Sequence, residues 1–470
     1  MSDYRYRQLA DDLRTRIHAR HWHPGERLPS VRMLMAEQSA SMATAVRALQ
    51  RLEQLGYVVS RPRSGWFVAA QLPKTQAANW TTFSAPAAVP VSVGRQIYRV
   101  LASVSQPGLL PLGSAVVDVG LLPLRELRRA TMAVARTHPD IGLRPPTSPL
   151  GNPALRVQIA RLMAQRGVHV GPEQIVVTAG DGLAFEMALR LVVPAGGVVA
   201  IETPTYFGIL QSLEALGLHA LEIATDARSG IDLDALEAAL REGGVHAIAV
   251  NPTFHNPFGG LMSDAAKARL VALASRYQVP LIEDDVYGDL YQGARRPLSL
   301  QSFDRDGNVI HCSSFSKTLT PAWRIGWITP GRWLEAFVER QLLSAHIVNT
   351  LSQAILAEYL AGRAYAQHLQ RLRKLFAAQN PRVRALILAA FPDALSVTDP
   401  QGSFLFWIEL PVHVDATALA GQALRNGISI APGPIFSATR RFRNCIRLSV
   451  GQRLTPAIEA GIRTLGELAR

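Results

Sequence analysis

From about residue 96 onward, short apolar runs rich in β-branched residues alternate with helical patterns. Ile175-Val176-Val177, Val198-Val199-Ala200-Ile201, Ala247-Ile248-Ala249-Val250, Pro280-Leu281-Ile282 and Val309-Ile310-His311 are such runs. None has a polar face, so each reads as a strand buried on both sides. Strands of that kind need helices above and below them, and parallel neighbours joined by helical crossovers provide these. The pattern predicts an α/β fold built on a large, mostly parallel sheet. Such a sheet presents its ligand crevice beyond the C-terminal ends of its strands. Thr350 to Arg470 reads as helices with a few strands, which suits a smaller α+β lobe.

At 470 residues, 48% apolar and 18% charged, the chain has a globular composition and room for two or more domains. Its two cysteines, Cys312 and Cys445, cannot build a disulfide framework, which fits a reducing compartment. The first thirty residues lack the apolar segment of a signal peptide, and no apolar run is long enough to span a bilayer. A cytoplasmic location is expected. Lysine is scarce: Lys74, Lys267, Lys317 and Lys374 are the four in the chain. Any chemistry that needs a side-chain amine must use one of them.

The net charge is +13, and residues 1–75 hold 12 Lys/Arg against 6 Asp/Glu. A basic segment ahead of a less charged body suggests a polyanion-binding module. Leu9, Leu13 and Ile17 mark one face of a first helix. Pro24-Gly25 breaks the chain. Ser30 can cap a second helix running through Gln38, and Ser41 can cap a third ending at Gly56, with Val46, Leu49 and Leu52 as its buried stripe. Tyr57-Val58-Val59 and Trp66-Phe67-Val68 then flank a basic hairpin tip, Arg61-Pro62-Arg63-Ser64-Gly65. Gln71 to Val93 has no periodicity and reads as a linker.

Helices two and three followed by a basic hairpin form a winged helix-turn-helix pattern. The stretches Pro24-Gly25-Glu26-Arg27-Leu28-Pro29-Ser30-Val31-Arg32, Ser41…Thr44, Leu52…Leu55-Gly56-Tyr57 and Ser64-Gly65-Trp66-Phe67-Val68 resemble the GntR family of bacterial regulators. By that resemblance Arg32, Ser41 and Thr44 contact double-stranded DNA and Arg61 and Arg63 sit on the wing. Met42 stands where the family often has arginine, which shifts base reading toward Arg47 or DNA shape.

Ser313-Ser314-Phe315-Ser316-Lys317-Thr318-Leu319-Thr320-Pro321-Ala322-Trp323-Arg324-Ile325-Gly326-Trp327 resembles the lysine signature of fold-type I pyridoxal 5′-phosphate (PLP) enzymes. A lysine just past a buried strand sits at the sheet edge, where desolvation and nearby cations favour its neutral amine. The resemblance makes Lys317 the lysine that bonds the cofactor aldehyde, with Ser314 and Arg324 on its phosphate. It assigns Asp284, within Glu283-Asp284-Asp285-Val286-Tyr287, to the pyridine nitrogen. Asp285 reads as a solvated neighbour. Tyr287, and Asn256 within Asn251-Pro252-Thr253-Phe254-His255-Asn256-Pro257, would donate to the phenolate oxygen, with His255 structural. Tyr206 would stack on the ring, and the amides of Asp181 and Gly182 would hold the phosphate while the Asp181 carboxylate turns away from it. Arg447, in Asn444-Cys445-Ile446-Arg447-Leu448-Ser449, would grip an effector carboxylate. No metal is implied. Relatives usually carry a tyrosine before Gly151 that reaches the partner's phosphate; here the window is Arg144-Pro145-Pro146-Thr147-Ser148-Pro149-Leu150, with Arg144 or Thr147 as substitutes.

In this order the two halves resemble the MocR subfamily of GntR regulators. The resemblance implies a winged helix-turn-helix over 1–72, a linker over 73–95 and an aminotransferase-like body over 96–470. The body's large lobe would span about 110–345 and its small lobe about 346–470. It further implies a homodimer whose body senses PLP or an amine effector. The alternative is a working PLP-dependent aminotransferase that carries a DNA-binding module.

Overall fold

A computed structural model describes the chain except residues 1–5, 7, 8, 11, 15, 18–20, 39, 55, 62, 63, 70–86, 96, 99–107, 144–147, 344–347 and 392–395. The chain forms two compact units: Met1–Ala78 with Ala378–Val397 and Leu454–Arg470, and Asn79–Ala377 with Thr398–Arg453.

In the first unit, Leu9, Leu13 and Ile17 are buried with Leu34 of α1 (Val31–Gln38) and with α2 (Met42–Gln54). Ser30 Oγ accepts the Met33 N–H at 3.3 Å and Ser41 Oγ accepts the Thr44 N–H at 3.2 Å, so both serines cap as expected. The buried stripe of α2 is Ala45, Ala48, Leu49 and Leu52. Val46 is only half-buried, because a spacing of three drifts off a face that repeats every 3.6 residues. β1 (Val58–Arg61) and β2 (Gly65–Val68) form the antiparallel hairpin, Arg61 facing Gly65. Arg27 bridges to Phe67 as a third edge, for which the sequence carries no strand signal.

The sheet of the second unit contains β3 (Ala88–Pro90), β4 (Val176–Thr178), β5 (Val198–Thr203), β6 (His219–Asp226), β7 (Val245–Val250), β8 (Leu281–Asp284), β9 (Val309–Ser314) and β10 (Gly326–Thr329). Their order is β3-β6-β5-β7-β8-β9-β10-β4, and Gly230–Ile231 adds a ninth strand against β6. β6, β5, β7, β8 and β9 are mutually parallel, while β10 runs against both β9 and β4. The end of the stretch read as linker thus supplies an edge strand, β3, where Pro90 is tolerated.

Helix α3 (Asp181–Val192) follows β4, α4 (Phe207–Ala215) links β5 to β6, α5 (Leu233–Glu242) links β6 to β7, and α6 (Asp264–Arg276) links β7 to β8. Alternate strand residues face opposite helical layers. Ile201, Ala249, Ile282 and Ile310 pack with Phe185, Leu189 and Leu210. Ala200, Ile248, Leu281 and Val309 pack with Leu236, Leu270 and Val271. Each large aliphatic side chain so buried contributes about 1.5–3 kcal/mol.

One polar cluster lies within this core. Asp285 is buried rather than solvated: Arg296 Nη2 pairs with it at 2.6 Å, and Arg296 and Arg166 also hold Asp289 at 2.7 and 3.0 Å. A carboxylate at a strand end packed on both faces has no route to water, so it requires these partners. Lys267 is likewise buried, its amine donating to Thr253 Oγ1 at 2.8 Å and to the Leu298 carbonyl. A separate antiparallel group, β11 (Leu405–Glu409), β12 (Ala431–Pro432) and β13 (Cys445–Ser449), is fully buried at Arg447. Among the described residues no helix is long and apolar enough to cross a membrane.

Candidate cofactor site and DNA-binding surface

Strand register brings the site together. Asp284 ends β8 level with Cys312 of β9, and Ser314 ends β9 opposite Gly326, which in turn faces Thr178 at the end of β4. Gly326 is required by close approach: a Cβ there would lie 2.7 Å from the Gly180 carbonyl carbon and 2.8 Å from Ser313 O.

Lys317 lies three residues past β9. Its Nζ donates to the Ala115 carbonyl at 3.0 Å and sits 5.6 Å from the centre of the Tyr287 ring. Burial and the Arg447 cation push its amine down to about 8, against the pull of Asp284 and Asp181. An amine lowered this far has a larger neutral fraction at physiological pH than an ordinary lysine, and the neutral form is the one that attacks an aldehyde.

Asp284 is buried, and its Oδ1 has no hydrogen-bond partner. Burial and the nearby Asp181 hold this carboxyl well above its ordinary range. Its own backbone carbonyl accepts from Asn251 Nδ2 at 2.6 Å, and Asn251 Oδ1 accepts the Asn256 N–H at 2.7 Å. Asn251 is thus the brace between these two site residues, a role that sequence reasoning missed; its place directly after β7 was the available signal. Tyr287 is buried with its hydroxyl unpaired, and burial raises its pKa. Tyr206 precedes α4, and burial pushes its phenol up to about 12. His255 is buried 3.5 Å from Glu202, a core position.

The other wall is the N-terminus of α3. Gly180 takes φ +90°, and a Cβ there would lie 3.0 Å from Arg324 Nη2. Arg324 itself is left-handed at φ +51° and donates to the Ala179 carbonyl at 3.2 Å. Free N–H groups, the helix dipole, Arg324 and the Ser314 hydroxyl make an anion cradle. Asp181 opens α3, and its Oδ1 is buried without a partner. Arg447 is buried, donating through Nη1 to Asn256 Oδ1 at 3.1 Å and through Nη2 to the Gly113 carbonyl, while its Nε is unpaired.

These atoms fit PLP. A neutralisable amine, an orphaned carboxyl, an orphaned phenol and an anion cradle meet at one sheet edge, matching its aldehyde, ring nitrogen, phenolate and phosphate. Glu283, Asp285 and His311 also bring ligand-type atoms within 4.8 Å of one another, but Glu283 bonds Ser299, the Leu300 N–H and His311, and Asp285 bonds Arg296.

On the winged helix, Arg32, Ser41, Arg47 and Arg61 are exposed, and Arg61 stacks 4.4 Å over Phe67. Thr44 is buried and shares a 2.8 Å hydrogen bond with Ser41 Oγ, so it belongs to the cap of α2 instead of facing outward. Arg63, Arg144 and Thr147 lie outside the described residues.

Fold and site together define a GntR-type winged helix-turn-helix carrying a fold-type I aminotransferase-like body. Residues 112–458 match the family model "Aminotransferase class I and II", and residues 5–68 match "Bacterial regulatory proteins, gntR family". The chain belongs to the HTH-type transcriptional regulators of this two-part design, the MocR subfamily. It is 38% identical over 467 residues to the uncharacterized HTH-type transcriptional regulator YdcR of Escherichia coli K12, covering 99% of this chain and 98% of that one. YjiR of the same organism, another uncharacterized HTH-type regulator, is 35% identical over 98% of both chains. The body is similar to the crystal structure of LysN, the α-aminoadipate aminotransferase of Thermus thermophilus complexed with N-(5′-phosphopyridoxyl)-L-leucine. That match has a TM-score of 0.72 at 26% identity, covering 81% of this chain and 98% of LysN.

Proposed function

We propose that this protein is a cytoplasmic, homodimeric regulator that binds PLP through Lys317 and couples an amine effector to operator DNA binding. The observation that carries the reading is the set of unpaired buried groups around Lys317: Asp284 Oδ1, the Tyr287 hydroxyl and Arg447 Nε. Buried polar atoms are normally paired, so a cluster of unpaired ones at the mouth of an α/β sheet marks a ligand position. The winged helix over 1–72 reads DNA through Arg32, Arg47, Arg61 and Arg63, and the body over 96–470 holds cofactor and effector.

Bound there, PLP supplies an electron-withdrawing pyridine ring joined to an amine nitrogen. Lys317 would provide the amine for the cofactor aldehyde, and its Nζ would be the atom that holds or gives up the proton there. Asp284 would keep a proton on the ring nitrogen, Tyr287 and Asn256 would donate to the phenolate, and Tyr206 would cover one ring face. Arg447 takes the effector carboxylate by a fork-to-fork pair. A carboxylate-bearing amine held by Arg447 would add contacts that the body does not make without it, and so would bias its conformational equilibrium.

The test is borohydride reduction followed by peptide mass mapping, paired with DNA-binding titrations with and without amines. Wild type should lose its visible absorbance band and carry a pyridoxyl label on Lys317. The Lys317→Ala variant should carry none and show no effector response. An intact response in Lys317→Ala overturns the model. The same side chains suffice for half-transamination, so release of pyridoxamine phosphate on mixing with amino acids tests the aminotransferase reading.

A further inference from the structure

Asp181 is the one side chain of the anion cradle whose charge opposes a phosphate. It opens α3 directly after Gly180, whose Cβ position lies 3.0 Å from the Arg324 guanidinium, and its Oδ1 is buried without a partner. A hydroxyl at this place would donate to a phosphate oxygen at any pH. A carboxyl donates only while it holds its proton.

We infer that Asp181 is a proton-linked affinity switch: it holds the cofactor phosphate as the neutral acid, so cofactor enters together with a proton and leaves as Asp181 ionises. This rests on the PLP reading above. The groups facing Asp181 come from every neighbouring element. Asp284 ends β8, Asp285 and Tyr287 follow it, Cys312 is on β9, Lys317 just past β9, Arg324 before β10 and Tyr206 before α4. Burial and Asp285 push the Asp181 carboxyl up, Lys317 and Arg324 pull it down, and it settles at about 7. Asp284 and Asp181 each disfavour the other's ionisation. With Asp284 committed as a carboxylate to the ring nitrogen, the second carboxyl keeps the proton, and an incoming phosphate reinforces this. The proton comes from solvent and rests on Asp181; no covalent bond is made or broken.

The experiment uses cofactor-free full-length protein and pyridoxine 5′-phosphate, an alcohol that cannot bond Lys317. Its affinity is measured calorimetrically from about pH 6 to about pH 9 for wild type, Asp181→Asn and Asp181→Ser, in two buffers of different ionisation enthalpy. Wild type should weaken relative to both variants by up to about tenfold per pH unit above neutrality, and take up close to one proton more per ligand than they do. The Asn variant, a permanent donor, should bind more tightly than wild type at each pH above neutrality and converge with it near the acid end of the range. Identical pH profiles and proton uptake in wild type and either folded variant overturn the inference while leaving PLP binding intact. Failure of wild type to bind either PLP or pyridoxine 5′-phosphate overturns the PLP reading and this inference together.

Discussion

Arg447 Nη1 donates to Asn256 Oδ1 at 3.1 Å, joining β13 to the turn after β7. The guanidinium assigned to the effector and the amide assigned to the cofactor phenolate therefore fix each other's orientation. Arg447→Lys keeps the charge but loses the fork. It should weaken amines that carry a carboxylate by about 10–100-fold, the worth of hydrogen bonds to a charged group, and leave the matching amines without a carboxylate little changed. Titration of the visible band with both kinds of amine checks this.

Asp284 should set a pH dependence on the stability of the cofactor-free protein. Its carboxyl is held above the ordinary range by burial. Above the unfolded-state value the unfolded chain has released a proton that the folded state still holds, so stability falls as pH rises through that window. Asp284→Asn removes this loss. The cofactor-free variant should melt higher than wild type near neutral pH, by about 1–3 kcal/mol of relieved desolvation, and converge with it in acid. Thermal melts across pH read the difference, and the same variant should bind PLP more weakly.

Arg296 should be a stability residue. It neutralises both Asp285 and Asp289 inside the core. Arg296→Met leaves buried carboxylates under-paired and should cost about 3–5 kcal/mol in urea unfolding. Adding Asp285→Asn to that variant should recover part of the loss.

Operator binding should show the electrostatic signature of the winged helix. Arg32→Gln and Arg61→Gln, both at exposed positions, should each lower affinity on any duplex. For every phosphate that the replaced arginine neutralises, the slope of log K against log salt should also fall by about 0.9. Thr44→Val should instead act through stability, because Thr44 bonds Ser41 within the helix cap. Filter-binding or anisotropy titrations at several salt concentrations separate these effects.

The sheet was legible in the sequence because doubly buried strands leave no polar alternation. Ile282, Ile310 and Ala249 lie where their runs predicted. Lys317 and Asp284 were legible because each lies soon after such a run in a stretch that resembles the fold-type I signature. What escaped notice depends on long-range partners. Asp285 looked solvated beside Asp284, yet Arg296 and Arg166, distant in sequence, bury and neutralise it. Asp181 was read on charge grounds alone; the burial that raises its carboxyl pKa comes from packing that the sequence does not display. Ala88–Pro90 gave no strand signal because a three-residue edge strand gains its order from the neighbouring β6.

The burial of Lys267 has a consequence for a protein whose proposed ligand is an aldehyde. Aldehydes condense with any accessible amine. With Lys267 sealed in the core and Lys317 in the crevice, Lys374 is the exposed lysine among the described residues. Arginine carries the positive charge of the described surface without offering an amine that condenses with aldehydes, so among the described residues Lys374 is the exposed side-chain amine a stray aldehyde can modify. Among the described residues an amine-directed probe therefore has two lysines to find, Lys374 at the surface and Lys317 in the crevice, and the share of label on each would report how open the crevice is.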